Sequence, residues 1–209
     1  HYLLISGMEQ SGKSNLLQVL AQQMKYAHGA SLVAFDICRS GLHVLRPLCR
    51  EYLTEAAEMD DALQRMRPEL QQRQREKALN PQAVFPPMVL ILDDYVQLFQ
   101  AISNESAMRL QAMVKLAAGL DVYLLVAADA FGFASLVNKG EEVALALSKG
   151  KTVVALGGCL NDHGGISVKA NYAQKCIAVK EREGFLIQND EITTFLAMDA
   201  KGEPQNAAQ

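Results

Sequence analysis

Tyr2-Leu-Leu-Ile-Ser-Gly-Met-Glu-Gln-Ser-Gly-Lys-Ser14 is the stretch on which the fold turns. An apolar strand pattern, Tyr2–Ser6, runs into a glycine-flanked octapeptide, Gly7–Ser14. A helical pattern follows from Ser14 to about Tyr26, with Leu16, Leu17, Leu20 and Met24 recurring on one face. Gly7 and Gly12 let the backbone turn tightly, so that successive N–H groups from Gln10 to Ser14 can surround a phosphate. The positive end of the helix that begins near Lys13 points at the same place. At this spacing Lys13 reaches the β- and γ-phosphates of a nucleotide and the Ser14 hydroxyl sits on Mg²⁺. The expected cradle is Gly7, Met8, Glu9, Gln10, Ser11, Gly12, Lys13, Ser14 and Asn15, and its expected ligand is ATP with Mg²⁺.

Outward from this loop, short apolar runs alternate with longer helical patterns, which predicts a mostly parallel sheet with helices on both faces. Ser31–Asp36 reads as a second strand, and a polar helix rich in glutamine and arginine follows from about Glu55 to Lys77. Pro68 should kink or divide that helix, and the prolines of Asn80–Pro87 should end it. The charges of Gln71–Lys77 read as a solvated face. Met88–Leu92 reads as a strand, Glu105–Ala118 as a helix, Asp121–Ala127 as a strand, Glu141–Leu147 as a helix and Lys151–Leu156 as the last parallel strand. Cys176–Val179 and Phe185–Ile187, around a turn at Glu183-Gly184, suggest an antiparallel hairpin.

The second chemical feature is Val89-Leu90-Ile91-Leu92-Asp93-Asp94. An unbroken apolar run makes a buried central strand, and an acid at its C-terminal end emerges beside the phosphate loop. Asp93 is expected to hold Mg²⁺ through a water, together with Ser14. Asp94 stands where many ATPases carry a glutamate that orients the attacking water, one methylene short of it. Lys13, Asp93 and Asp94 are therefore the candidate catalytic residues.

Composition bounds the rest. At 209 residues with a net charge of −3, the chain suits one α/β domain, and its acidic balance weighs against a nucleic-acid surface. Four cysteines (Cys38, Cys49, Cys159, Cys176) lack zinc-ligand or redox spacing and read as buried or partly buried thiols. The four histidines, His1, His28, His43 and His163, make no pair at helical spacing. No run is long and apolar enough to span a membrane, and no signal-peptide layout opens the chain. Opening directly in a strand suggests a domain from within a longer polypeptide. Residues 1–197 are expected to form one domain and 198–209 a polar tail.

From Tyr2 to Ile187 the order of these features resembles the FtsK/SpoIIIE/HerA branch of P-loop motor ATPases. The resemblance rests on an acid ending strand two (Ala34-Phe35-Asp36), on Leu70-Gln71-Gln72-Arg73 ahead of the Asp93-Asp94 strand, and on Ala117-Ala118-Gly119-Leu120 leading into Val122–Ala127. It rests also on Ser148-Lys149-Gly150 followed by a strand that stops at Gly157-Gly158. Within that branch, the paired aspartates and Ala155-Leu156-Gly157-Gly158 are most similar to the C-terminal ATPase domains of the type VII secretion ATPase, EssC in Firmicutes and EccC in actinobacteria. The resemblance implies a RecA-like P-loop fold and a motor working as a hexamer of multi-domain chains. Its partners would be neighbouring ATPase domains and secreted proteins of the WXG100 or LXG type, through their C-terminal signals. It would sit in the cytoplasm at the inner face of the membrane, attached through a missing N-terminal part.

Three departures bear on catalysis. The DNA-translocating branch carries an arginine in the helix before the Gly-x-x strand; here Leu116 holds that place, beside Lys115, with Arg109 two turns earlier. The family's Ala-Thr-Gln γ-phosphate sensor reads Ala127-Ala128-Asp129, and its Asp-x-Lys reads Asp36-Ile37-Cys38. Binding should survive better than turnover. Three readings stay open: a type VII secretion ATPase domain with weak or regulated hydrolysis, a DNA-translocase motor, and a degenerate nucleotide-binding module that recognises proteins.

Overall fold

The computed structural model describes residues 2–39, 41–180 and 183–197. Residues 198–209, where the polar tail is expected, lie outside the described residues. Among those described, eight strands form a single sheet in the order β3-β2-β4-β5-β1-β6-β7-β8. They are β1 (Tyr2–Gly7), β2 (Ser31–Phe35), β3 (Cys49–Leu53), β4 (Met88–Leu92), β5 (Val122–Asp129), β6 (Thr152–Leu156), β7 (Glu183–Gln188) and β8 (Glu191–Leu196). The first six are mutually parallel, so their C-terminal ends share one edge of the sheet. β7 and β8 extend it as an antiparallel hairpin on β6. This is the mixed α/β, RecA-like arrangement that the sequence predicts.

Period-two alternation sorts the strand residues between two layers of core. On one face Leu4, Phe35, Leu90, Leu92 and Val126 are buried beneath α2 (Ala56–Leu79), α3 (Tyr95–Ala101), α4 (Asn104–Ala117), α5 (Ala130–Asn138) and α6 (Glu142–Ser148). On the other, Ile5, Leu32, Val89, Ile91 and Ala127 meet α1 (Lys13–His28) and a short 3-10 helix, Leu42–Leu48. All five residues of β4 are fully buried, as its unbroken apolar run requires of a strand covered on both faces.

Several expectations need correction. Pro68 does not divide α2, which runs unbroken for 24 residues. Reciprocal capping between Glu55 and Glu58 starts that helix, and Met59, Ala62, Leu63, Met66 and Leu70 bury one face of it. That burial outweighs the single backbone hydrogen bond a proline removes. Nor is Gln71–Lys77 wholly solvated. Arg73 is buried, donates to the Leu120 carbonyl at 3.0 Å and to Glu69 at 2.9 Å, and lies over the Phe85 ring.

The hairpin also lies further along than expected. Cys176 ends a short helix, α7 (Tyr172–Lys175), and the segment behind it contributes only an isolated bridge between Cys159 and Ala178. The chain turns instead at Asn189 and Asp190, both at positive φ, which suits the right-handed twist of a hairpin. Cys38 and Cys176 are exposed rather than buried, because each sits in a turn beyond the element that would have covered it.

Arg73 offers a test of this packing. Arg73→Ala strands a buried carbonyl and empties the space beside Phe85, and should lower stability by about 2–3 kcal/mol. The exposed Arg75→Ala should stay within about 0.5 kcal/mol. Equal urea-unfolding midpoints for the two variants would show that Arg73 does not hold α2 in place.

Candidate functional site

β1 ends at Gly7 near the middle of the sheet, between β5 and β6. The chain then reverses in one tight loop, with Gln10 at φ 59° and Gly12 at φ 92°. A side chain on Gly7 would collide with Ser11 Oγ and with the Leu156 carbonyl. Gly12 is needed for its left-handed conformation, since a Cβ there would meet nothing within 4 Å. Gly12 is also the N-cap of α1 and supplies no side-chain cap to that helix. The loop thus presents uncapped N–H groups at a helix start, together with a buried Ser11 hydroxyl that has no partner among the described residues. An anion fits that donor set. Met8, Glu9 and Gln10 form the arch of the loop, with Glu9 and Gln10 exposed, and Asn15 lies in the first turn of α1.

Lys13 folds back over the loop, donating to the Met8 carbonyl at 2.6 Å and to that of Gly7 at 3.2 Å. Burial lowers its pKa, against the opposing pull of Asp129, Asp94, Asp93 and Glu9. Its neighbour Ser14 donates from Oγ to Asp93 Oδ2 at 2.8 Å. This bond spans the width of β5, which lies between β1 and β4. A hydroxyl and a carboxylate converging there are hard oxygen donors of the kind Mg²⁺ takes.

Asp93 follows β4 directly and is almost fully buried. Its amide donates to the Phe35 carbonyl at 3.3 Å, and its Oδ1 accepts the Asp94 N–H at 3.1 Å. Asp94 is partly exposed, sits at φ 48°, and caps α3 by accepting the Gln97 N–H at 3.3 Å. One lobe of its carboxylate is thereby committed to the helix. Asp36, at the end of β2, is buried and accepts the Tyr52 hydroxyl at 2.5 Å. Asp129 ends β5 level with Gly7 and caps α5 through Gly132, at 2.7 Å. The edge therefore carries one lysine among several carboxylates.

The sequence reading gave His163 no place, although it lies behind the phosphate loop. It is buried, with Nδ1 2.9 Å from Ser6 Oγ and Nε2 3.0 Å from the Gly157 carbonyl. A carbonyl can only accept, so Nε2 carries the proton and Nδ1 accepts from Ser6. The ring thereby ties β1 to the turn after β6. A lone histidine beside Leu160-Asn161-Asp162 has no clear local signal, because Ser6 reaches it from β1 and Gly157 offers only a backbone carbonyl.

Residues at the arginine-finger position face elsewhere. Leu116 packs half-buried against the core, Lys115 pairs with Glu142, and Arg109 pairs with Asp60 and Glu105. Arg109 also borders a groove of about 460 Å³ between α2 and α4, whose walls include Leu63, Leu70, Met113 and Leu116 and no residue of the phosphate loop.

No family model matches the chain, and no curated protein matches it. Solved structures do. The cytoplasmic domain of EssC superposes with a TM-score of 0.80 at 18% identity, over 95% of this chain and 39% of that one. Thermomonospora curvata EccC (ATPases 2 and 3), in complex with a signal sequence peptide, gives 0.70 at 17% identity, over 95% and 36%. The pCW3 conjugation coupling protein TcpA, with ATPγS, gives 0.66 at 14% identity, over 95% and 60%. The fold is that of the EssC and EccC ATPase domains, as the resemblance in sequence implies. The chain spans well under half the length of the EssC and EccC structures it matches. Among the described residues no helix is long and apolar enough to cross a membrane.

His163 makes the stability of this edge depend on pH. Burial holds its folded-state pKa below the ordinary 6.5, so the unfolded chain takes up that proton first as pH falls. Its contribution is whole above that ordinary value and should fall below it, by at most about 1.4 kcal/mol per pH unit. Urea unfolding at about pH 7.5 and about pH 5.5 should show a smaller difference in His163→Asn than in wild type. An equal pH dependence in the two proteins would exclude His163 as its source.

Proposed function

We propose that this chain is an ATP-binding domain of a type VII protein secretion motor, holding Mg-ATP at its phosphate loop and hydrolysing it weakly or under regulation. The observation that carries this reading is the Ser14–Asp93 hydrogen bond. It joins the start of α1 to the end of β4, residues 79 apart in sequence, where a loop of uncapped N–H groups meets a buried acid. In this reading Gly7 to Asn15 enclose the phosphates. Lys13 leaves the Met8 and Gly7 carbonyls to neutralise phosphate charge. Ser14 and Asp93 orient the Mg²⁺, and Asp94, with its free lobe, positions a water. ATP supplies the phosphoanhydride whose cleavage a motor uses.

Weak turnover follows from the groups that surround the site. Leu116 offers no charge to a neighbouring nucleotide, and Asp129 stands where a donor to the γ-phosphate is expected. An arginine finger supplies several orders of magnitude in rate where one operates. The same two positions favour the degenerate reading, in which nucleotide holds the fold and the work is protein recognition. The proposed partners are neighbouring ATPase domains, in the same chain and around a hexamer, and secreted WXG100 or LXG-type proteins. The EccC neighbour bound to a signal sequence peptide supports the latter. In this setting the domain lies at the cytoplasmic face of the membrane, within a longer membrane protein. A DNA-translocating motor is the alternative, favoured by the fold shared with a conjugation coupling protein and disfavoured by the acidic balance.

Lys13→Ala should abolish Mg-ATP binding in a protein that still folds, because Lys13 lies on the loop and outside the core. Titration with a fluorescent ATP analogue reads this directly, and unchanged affinity would remove the phosphate-loop assignment. Asp93→Asn should weaken magnesium-dependent binding by about tenfold or more, whereas Asp94→Asn should spare binding and slow single-turnover hydrolysis. The reverse pattern would exchange their roles.

Steady-state phosphate release from the isolated domain should be slow and indifferent to double-stranded DNA. Stimulation by about tenfold or more, equivalent to about 1.4 kcal/mol of barrier, would favour the translocase.

A further inference from the structure

Parallel pairing sets Asp129 level with Gly7 on the neighbouring strand, about 4.8 Å away across the ladder. β5 and β4 are level at Val126 and Leu92, so Asp129 stands two residues beyond the level of Asp93. It therefore stands at the level where the phosphate loop begins, near enough to Lys13 for their charges to interact. Its carboxylate is not free to swing away. Oδ2 accepts the Gly132 N–H at 2.7 Å, and Gly132 itself is pressed against Val96 of α3, where a Cβ would have no room.

A carboxylate accepts hydrogen bonds and donates none, so it can offer nothing to a phosphate oxygen. The charge around it is already one-sided. Lys13 feels Asp129, Asp94, Asp93 and Glu9, with Asp129 foremost among them. A cation held by Ser14 and Asp93 would offset the charge of Asp93 and leave that of Asp129 standing. With the loop holding the phosphates as proposed, a triphosphate would bring one more anionic group toward this charge than a diphosphate does.

We propose that Asp129 sets the nucleotide selectivity of this site, disfavouring the γ-phosphate so that a nucleoside diphosphate binds more tightly than the triphosphate. The inference rests on the phosphate-loop reading and deepens it. A domain of this kind holds its product longer, and a group from elsewhere that supplied the missing donor or displaced the acid would shift it toward the triphosphate state.

The test is the pair of dissociation constants for ADP and ATP, each with magnesium in excess, measured by competition against a fluorescent nucleotide. Wild type should favour ADP by about tenfold or more, a difference of about 1.4 kcal/mol. Asp129→Asn removes the charge, keeps the shape and still caps α5. It should tighten ATP by about tenfold while moving ADP by less than about threefold. Asp129→Ser, a second capping residue, should act in the same direction, and thermal melting checks that both variants fold. Raising the salt should narrow the gap in wild type more than in Asp129→Asn, because the screened repulsion by Asp129 exists only in wild type. ATP binding as tight as ADP in wild type, or a ratio unmoved by both variants, would overturn the role of Asp129 while leaving the phosphate loop in place. Failure of wild type to bind either nucleotide would overturn the phosphate-loop reading, and this inference with it.

Discussion

Parallel pairing is the constraint from which the rest of this molecule follows. Six contiguous strands running the same way must all end at the same edge, and each must return by a crossover that covers a face of the sheet. Chain segments far apart in sequence are thereby delivered to one line: Gly7 from β1, Asp36 from β2, Asp93 from β4, Asp129 from β5 and Gly157 from β6. Functional groups gathered this way need no long-range contacts of their own. Their spacing is inherited from the hydrogen-bond ladder, and their heights from its register.

The same constraint explains how much of the site was legible beforehand. The phosphate loop can be read because its requirements are local: glycines where the backbone must reverse, a lysine and a serine at the first turn of a helix. Asp93 can be read because five apolar residues before it leave little doubt that the strand is covered on both faces. Asp129 stands out by its departure from a familiar pattern, but its height relative to Gly7 depends on which strands are neighbours, and no single segment encodes that. His163 lies further from reach, since its one side-chain partner, Ser6, comes from the far end of the sequence and Gly157 offers only a backbone carbonyl.

Segments the sequence left unassigned share a physical cause. α3 and α5 are short, each begins within two residues of a strand end, and each takes an aspartate as its cap; periodicity over seven to nine residues is too brief to separate from a loop. α5 also carries Gly132, which weakens any helical pattern yet is required where that helix touches Val96. β3, Cys49-Arg-Glu-Tyr-Leu, looks too polar for a strand because it lies at an edge. Arg73 shows the converse: among charged neighbours it looks solvated, and the Leu120 carbonyl, Glu69 and the Phe85 ring together make its burial favourable.

The two margins of the sheet have a consequence for how this domain can meet others. At one, β3 carries Arg50 and Glu51, each tied by an ion pair to α2. At the other, β8 leaves Glu191, Thr193 and Thr194 open to solvent. A strand from another molecule that tried to extend the ladder at β3 would have to crowd against anchored charges, whereas at β8 it would meet exposed Leu196 beside these polar residues. Strand addition is thus discouraged most at the β3 margin. Contacts made through helices and loops leave the ladder intact, so neighbours could come and go without the sheet becoming a template for fibrous self-association.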